Sequence, residues 1–497
     1  MDIRRRMLTI SGEGPINIDN YLTIEANEDG LTASLSVNAC EYCVDGDGNW
    51  KTLSAGTATE SINTGQTLSF RGNLTPNSSK GIGTFTINKK CNLKGNCMSM
   101  LFGDNATNNY SLSGKDYAFY YLFRNCSNIV NVDSNFLPAT ALASYCYQYM
   151  FQNCSSLTTA PELPATTLAT CCYYGMFYGC SSLTTAPELP AIKLISNCYR
   201  YMFYNCSSLT TAPELPATKL IINCYYHMFN GCTSLTTAPE LPATTLATQC
   251  YYGMFQNCTS LTTALALPAT TLADDCYNGM FQGCTSLTKA PELPATTLAS
   301  SCYEYMFYNC TSLTTAPELP ATTLASSCYS SVFYNCRSLT AAPELPARTL
   351  ASNCYSGMFQ NCSGLTTAPK PHATTLANYC YRYMFQNCTS LTTAPELPAT
   401  TLASNCYYGM FSGCKSLTTA PELPATDLEE RCYYYMFQNC KKLNYIKMLA
   451  TDISASNCLN NWVSGVSSTG TFVKNAAMTS LPTGDSGIPS GWTIQNT

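Results

Sequence analysis

Charge is scarce in this 497-residue chain. Only 11% of residues are Asp, Glu, Lys or Arg, and the 25 basic and 30 acidic residues leave a net charge of −5, thinly spread. Such a chain lacks the clustered basic footprint that nucleic-acid binding needs. Histidine, the commonest general acid–base residue, is nearly absent, at two copies. No run of 18 apolar residues occurs, so no transmembrane helix is expected. The opening MDIRRRMLTISGEG is basic but has no apolar centre of the kind a signal peptide carries, and the C-terminus has no hydrophobic anchor.

Cysteine, by contrast, is abundant, at 31 copies, and it is periodic. Cys146, Cys172, Cys198, Cys224, Cys250, Cys276, Cys302, Cys328, Cys354, Cys380, Cys406, Cys432 and Cys458 follow at steps of 26. A second column lags by eight residues, from Cys154 to Cys440, which gives twelve periods. A fixed period of this length with constant apolar columns marks a solenoid. Seven apolar side chains per repeat cannot offset the entropy of ordering 26 residues. The repeats must therefore fold by stacking.

In the copy starting at Leu324, the apolar residues Leu324, Ala325, Cys328, Tyr329, Val332, Phe333 and Cys336 fit one arc at 3.6 residues per turn. Ser326, Ser327, Ser330, Ser331 and Tyr334 fill the other arc. This predicts an amphipathic helix of about three turns. The residue before each second Cys, from Asn153 to Asn439, is always Asn or Gly, so a left-handed helix stop is expected there. The following Thr-Thr-Ala reads as a short strand ended by Pro161 and its equivalents. The expected fold class is an α/β solenoid of leucine-rich-repeat type, with 26-residue repeats, parallel strands on one face and helices on the other. A small all-β sandwich precedes it.

The string M-F-x-x-C-x-x-L followed by P-E-L-P resembles the BspA-like leucine-rich repeats, over about residues 117–460. The period is a few residues longer here, and the extra Pro and the first Cys-Tyr pair depart from the pattern. The N-terminal segment and the closing GIPSGWTI are similar to repeat proteins of gut Bacteroidales and their tailed, crAss-like phages. The resemblance implies binding and adhesion rather than catalysis.

The chain order is read as an N-terminal arm (1–20), a β-sandwich attachment domain (21–96), a capping repeat (97–145), twelve repeats (146–457) and a β cap (458–497). Arg4, Arg5 and Arg6 read as a solvated tail or an anchoring arm. Cys328 and Cys336 would lie about 12 Å apart along a helix, beyond the roughly 7 Å that a disulfide spans. The cysteines are therefore expected to be reduced, buried and apolar in role. Cys40, Cys43, Cys91 and Cys97 make a poor zinc set. Asp45, Asp47 and Asn49 lack the Glu that closes a calcium loop and read as a hairpin turn. No metal and no cofactor is expected. His227 and His372 stand without an acid or nucleophile in their own repeats. The Glu column, Glu162 to Glu422, reads as a solvated turn or a stripe for cations or basic ligands.

Internal variation is the functional signal. Leu, Met, Phe, Cys and the first Tyr barely change between repeats, whereas the next two residues vary freely, as in Tyr174-Gly175, Arg200-Tyr201, Glu304-Tyr305 and Ser330-Ser331. Tyr, Arg, Asn and Ser are favoured at binding surfaces. The candidate ligand-binding residues are Arg200, Tyr201, Tyr226, His227, Glu304, Tyr305, Arg382, Tyr383, Tyr434 and Tyr435. The function expected is a non-enzymatic adhesion protein on the exterior of a phage particle, as fibre or decoration. Its partners would be other virion proteins, through the N-terminal domain, and a host surface polysaccharide or protein. Homo-oligomerisation is compatible with this; nucleic-acid binding and membrane insertion are not expected. The alternative is a BspA-like adhesin on a bacterial cell surface.

Overall fold

The computed structural model describes residues 14–497; the Arg4–Arg6 cluster lies outside them. The chain divides into two units. The first runs up to Lys193 and takes in Asn205–Leu209; the second comprises Leu194–Tyr204 and Thr210–Thr497.

The first unit opens with short strands, two of which, Leu22–Ala26 and Thr67–Arg71, are buried at four of their five residues. β1 (Leu22–Ala26), β3 (Cys40–Val44), β4 (Lys51–Leu53), β5 (Thr67–Arg71) and β7 (Cys91–Gly95) join β8 (Ile129–Val132) in one sheet, ordered β4-β3-β5-β1-β7-β8. β2 (Ala33–Leu35) and β6 (Phe85–Ile87) form a separate pair. Phe70 of the large sheet meets Phe85 of the small one edge-on at 5.1 Å. The expected sandwich is thus lopsided, with two strands facing six. Its sheet also continues in parallel from β7 into β8, which lies in the segment read as the capping repeat. The segment after Val44 is a hairpin turn, with Asp45, Gly46 and Gly48 at positive φ and the Asp47 carboxylate accepting from the Asn49 N–H.

The predicted helices do not form. The rung from Ala325 to Leu339 is a ribbon of successive turns. The N–H groups of Cys328, Ser330, Val332, Tyr334 and Cys336 each donate to the carbonyl three residues back. The alternate N–H groups, of Ser327, Tyr329, Ser331, Phe333 and Asn335, donate to Ser352, Cys354, Ser356, Met358 and Gln360 of the next rung at 2.8–3.0 Å. Odd-numbered carbonyls thus serve the turns and even-numbered ones serve the neighbour, so every N–H from Ser327 to Cys336 and every carbonyl from Ala325 to Tyr334 is bonded. Ser327, Ser331 and Asn335 have φ of 55°, 54° and 60°. A positive φ at the third residue of alternate turns is the type II requirement, and three such residues four apart are incompatible with an α-helix. The same triplet recurs from Tyr117, Tyr121 and Asn125 to Asn457, Asn461 and Gly465. Asn335 and its equivalents are left-handed, as expected, but as the last of three such residues rather than as a helix stop.

The physical cause is a period of four. Apolar pairs fall at 324/325, 328/329 and 332/333, and over three turns this drifts too little from 3.6 to be told apart. Ser330, expected on the exposed arc, is 8% exposed. The only α-helix among the described residues is α1 (Ser99–Phe102).

The Thr-Thr-Ala stretches likewise fall short of strands. They meet the next rung through single parallel bridges, such as Thr237 to Thr263 and Thr393 to Thr419, with a second line at Thr271, Thr297 and Thr323. Between ribbon and bridges lies the core. Phe rings stack rung on rung at 5.5–5.8 Å from Phe203 to Phe437, and Tyr rings stack at 5.6–6.0 Å from Tyr199 to Tyr433. The second unit ends in a parallel sheet of β9 (Tyr445–Met448), β10 (Thr471–Lys474) and β11 (Thr493–Asn496). Buried Trp462 packs on Tyr433, Phe437 and Phe472 there, and its indole N–H donates to the Gly487 carbonyl.

Candidate functional site

The ten candidate residues all lie on the turn ribbon of the second unit. They occupy two adjacent columns. Tyr201, His227, Tyr305, Tyr383 and Tyr435 sit at the middle left-handed position of their rungs. Arg200, Tyr226, Glu304, Arg382 and Tyr434 precede them.

Part of the variation in these columns is steric. A Cβ at Gly253 would sit 2.2 Å from the His227 ring, and one at Gly409 would sit 2.6 Å from the Tyr383 ring. The His227 and Tyr383 rings therefore each lie over a glycine of the next rung, which also accepts the positive φ without strain, whereas Tyr201 is followed by the His227 ring and Tyr305 by Ser331.

Two clusters result. In the first, the Arg200 guanidinium lies 4.1 Å from the centre of the Tyr226 ring and 5.1 Å from that of Tyr201. Tyr226 stacks on Tyr252 at 4.8 Å, and His227 stacks on Tyr201 at 5.7 Å. His227 is half-buried rather than a surface residue. Its imidazole pKa is pushed down to about 4, by burial first and by the Arg200 charge, against the Gly253 carbonyl bond that favours the cation. In the second cluster, Arg382 lies over Tyr383 at 4.9 Å, Tyr408 at 5.3 Å and Tyr379 at 5.6 Å. Tyr408 stacks on Tyr434 at 4.8 Å, and Tyr435 stands edge-on to Tyr434 at 4.2 Å.

Glu304 and Tyr305 stand between the clusters. Burial raises the Glu304 carboxyl pKa, opposed by bonds from Ser301 and Ser330 and assisted by the charge of Asp275. Tyr305 is 38% exposed. Sequence reasoning missed Tyr204, Tyr252, Tyr379 and Tyr408, which complete the stacks. The signal for Tyr252 and Tyr408 was present, because each lies 26 residues after a chosen residue, Tyr226 or Arg382.

The bridge side of the repeat is different in kind. Adjoining cavities of about 590 and 390 Å³ run along it, lined by Thr315, Pro317, Glu318, Pro343 and Glu344 in the first and by Lys289, Glu292 and Pro294 in the second. The Glu column borders them. Lys447 pairs with Glu422 at 3.1 Å, and exposed His372 lies 3.9 Å from Glu344 of the preceding rung.

The cysteines are not arranged for chemistry. All 31 are free thiols and all are buried. Burial pushes the Cys284 and Cys328 thiols up to about 12, the reverse of what a nucleophilic cysteine needs. In the second column each thiol donates to a Phe carbonyl of the preceding rung, as Cys310 does to Phe281 at 3.1 Å. Among the described residues no three His, Cys, Asp or Glu side chains converge as metal ligands.

No curated protein and no solved structure matches the chain. The family described as BspA type leucine rich repeat region does match. Its six overlapping copies cover residues 76–184, 113–236, 145–288, 196–340, 274–418 and 378–464. These spans take in the Phe, Cys and Leu columns that build the core and extend over most of the sequence. The chain belongs to the BspA type leucine-rich repeat family.

Proposed function

We propose that this protein is a non-enzymatic binding and adhesion protein on the exterior of a phage particle, a fibre or decoration that attaches to a host surface glycan or protein. Repeats of its family are generally binding or surface-adhesion modules, and they are typically non-catalytic. The observation that carries the reading is the pair of Arg/Tyr stacks. They leave polar, half-exposed rings in the columns that change from rung to rung, over a core whose columns do not change. Placement on a particle rests on the resemblance read in the N-terminal segment and GIPSGWTI, and the N-terminal domain would then hold other virion proteins.

The second reading, a bacterial cell-surface adhesin, is favoured by the usual extracellular or surface-exposed setting of BspA-like repeats. Immunogold labelling separates the two, with label on released particles for the first and on cell envelopes for the second. Recognition is tested by replacing all ten candidate residues with Ser, a residue that both columns already hold at Ser330 and Ser331. Host-cell binding should be lost in this variant. It should persist when the Thr pairs of the same rungs are changed to Ser. The opposite result would move recognition to the bridge side.

A further inference from the structure

We infer that Arg382, with Tyr379, Tyr383 and Tyr408 around it, is a binding site for the carboxylate of an acidic saccharide, and that Arg200 repeats the site seven rungs earlier. The inference rests on the reading of the ribbon as the recognition surface and names the ligand class.

Arg382 is a cation without an anion. No carboxylate lies within ion-pairing distance of it among the described residues, whereas Arg71 pairs with both Glu41 and Asp104 and Lys94 with Glu25. Its charge is met only by ring faces, an attraction that grows as water is excluded. Its Nε is buried and unbonded, whereas its terminal nitrogens are not among the buried unpaired atoms. A guanidinium held among three rings is restricted before any ligand arrives, and its planar fork matches a carboxylate in two parallel hydrogen bonds.

The surroundings narrow the ligand further. Tyr408 and Tyr434 turn their faces to one another, with ring planes 13° apart. The stack therefore offers phenol hydroxyls rather than open faces for a neutral sugar to lie on. Guanidinium and phenol groups together favour a ligand that is anionic and rich in hydroxyls.

Arg200 keeps two of these ring contacts, with Tyr201 and Tyr226, while Asn197 stands where Tyr379 does and accepts from its Nη1 at 3.2 Å. The two arginines are 182 residues apart, seven periods of 26. Glu304 and Asp275 stand on the rungs between them, so a single polyanion spanning both sites would meet like charge on the way. Each arginine therefore acts as its own site for a short acidic saccharide.

The test uses the full chain, trigalacturonate and its neutral methyl ester, followed by calorimetry. Arg382→Asn and Arg200→Asn are suitable variants because Asn278 occupies the same column, so the ribbon accepts the residue. The acid should bind the wild type at two sites, at least about tenfold more tightly than the ester. Each single variant should lose one site, and the double variant should lose the preference for the acid. Equal binding of acid and ester, no binding of the acid by the wild type, or an unchanged double variant would each overturn the inference. Host-cell binding is measured alongside. If the ten-residue Ser variant fails to bind cells while the double Asn variant still binds, the recognition surface stands and the carboxylate site falls. If both variants bind cells, both readings fall.

Discussion

A cysteine at Cys310 does what neither alanine nor serine would do there. It fills apolar space in a fully buried column and also gives a thiol proton to the Phe281 carbonyl, which already accepts from the backbone of Cys284. Phe333 fills the same core between Phe307 and Phe359, at 5.7 and 5.5 Å. Phe333→Ala should therefore cost about 3–5 kcal/mol. Exposed Ser326→Ala should stay within about 0.5 kcal/mol. Urea titration of both variants decides the matter, and equal losses would mean that the ribbon is turned the wrong way. Glycine is tested by coupling. Gly409→Ala puts a methyl against the Tyr383 ring at a φ of 59°, for a loss of about 1–3 kcal/mol. With Tyr383→Ser in place, the steric part of that loss disappears and only the backbone part remains. A double-mutant cycle should thus show coupling of about 0.5 kcal/mol or more. Strict additivity would mean that ring and glycine do not share the space.

At the scale of the element, the repeat length, the two cysteine columns and the buried Phe, Leu and Tyr positions were legible because stacking forces each core column to keep its residue type. The conformation of the ribbon was not legible in the apolar pattern. A pattern of apolar pairs every four residues mimics an amphipathic helix over three turns, because a period of about 4.0 and one of about 3.6 diverge too little over that length. The discriminating signal lay in the middle column. Gly175, Gly253, Gly279, Gly357 and Gly409 would each sit inside the proposed helix, where glycine costs about 0.5–1 kcal/mol against alanine. Five such glycines, one column before the Asn/Gly column at the rung's end, describe a chain that needs positive φ at intervals of four. The candidate surface was legible as a set of columns, because both variable positions do face outward in part. Its organisation into two arginine-centred stacks was not, since that depends on which rings neighbour each other across rungs. Circular dichroism tests the element directly. The far-ultraviolet spectrum of the native protein should lack the paired minima of helix, because four residues form the one α-helix among those described. Helical content near the ten or so residues per repeat that the arc argument implies would refute the turn ribbon.

For the whole molecule, the concentration of buried thiols sets a response to alkali. Burial raises the pKa of column cysteines in both units, Cys154 and Cys146 in the first and Cys258, Cys310, Cys336, Cys388 and Cys414 in the second, because a thiolate would lose its water there. Buried tyrosines such as Tyr303 and Tyr407 shift the same way. In the unfolded chain a cysteine titrates near pH 8.5. Above that pH the unfolded state has released protons that the folded state still holds, so stability falls as pH rises. The stability is fully present below about pH 8.5 and is lost progressively towards the folded pKa values. Each thiol contributes a slope of about 1.4 kcal/mol per pH unit in that window. Five thiols unfolding together would remove about 7 kcal/mol over one unit, comparable with the whole stability of an ordinary domain. Urea midpoints measured with reductant present should thus be steady from pH 6 to 8 and collapse between about pH 9 and 10.5. The same samples, unfolded at neutral pH without reductant, should titrate close to 31 free thiols. A flat stability profile through pH 10.5, with most thiols blocked, would mean that the columns are cross-linked rather than held by burial and by hydrogen bonds to the Phe carbonyls.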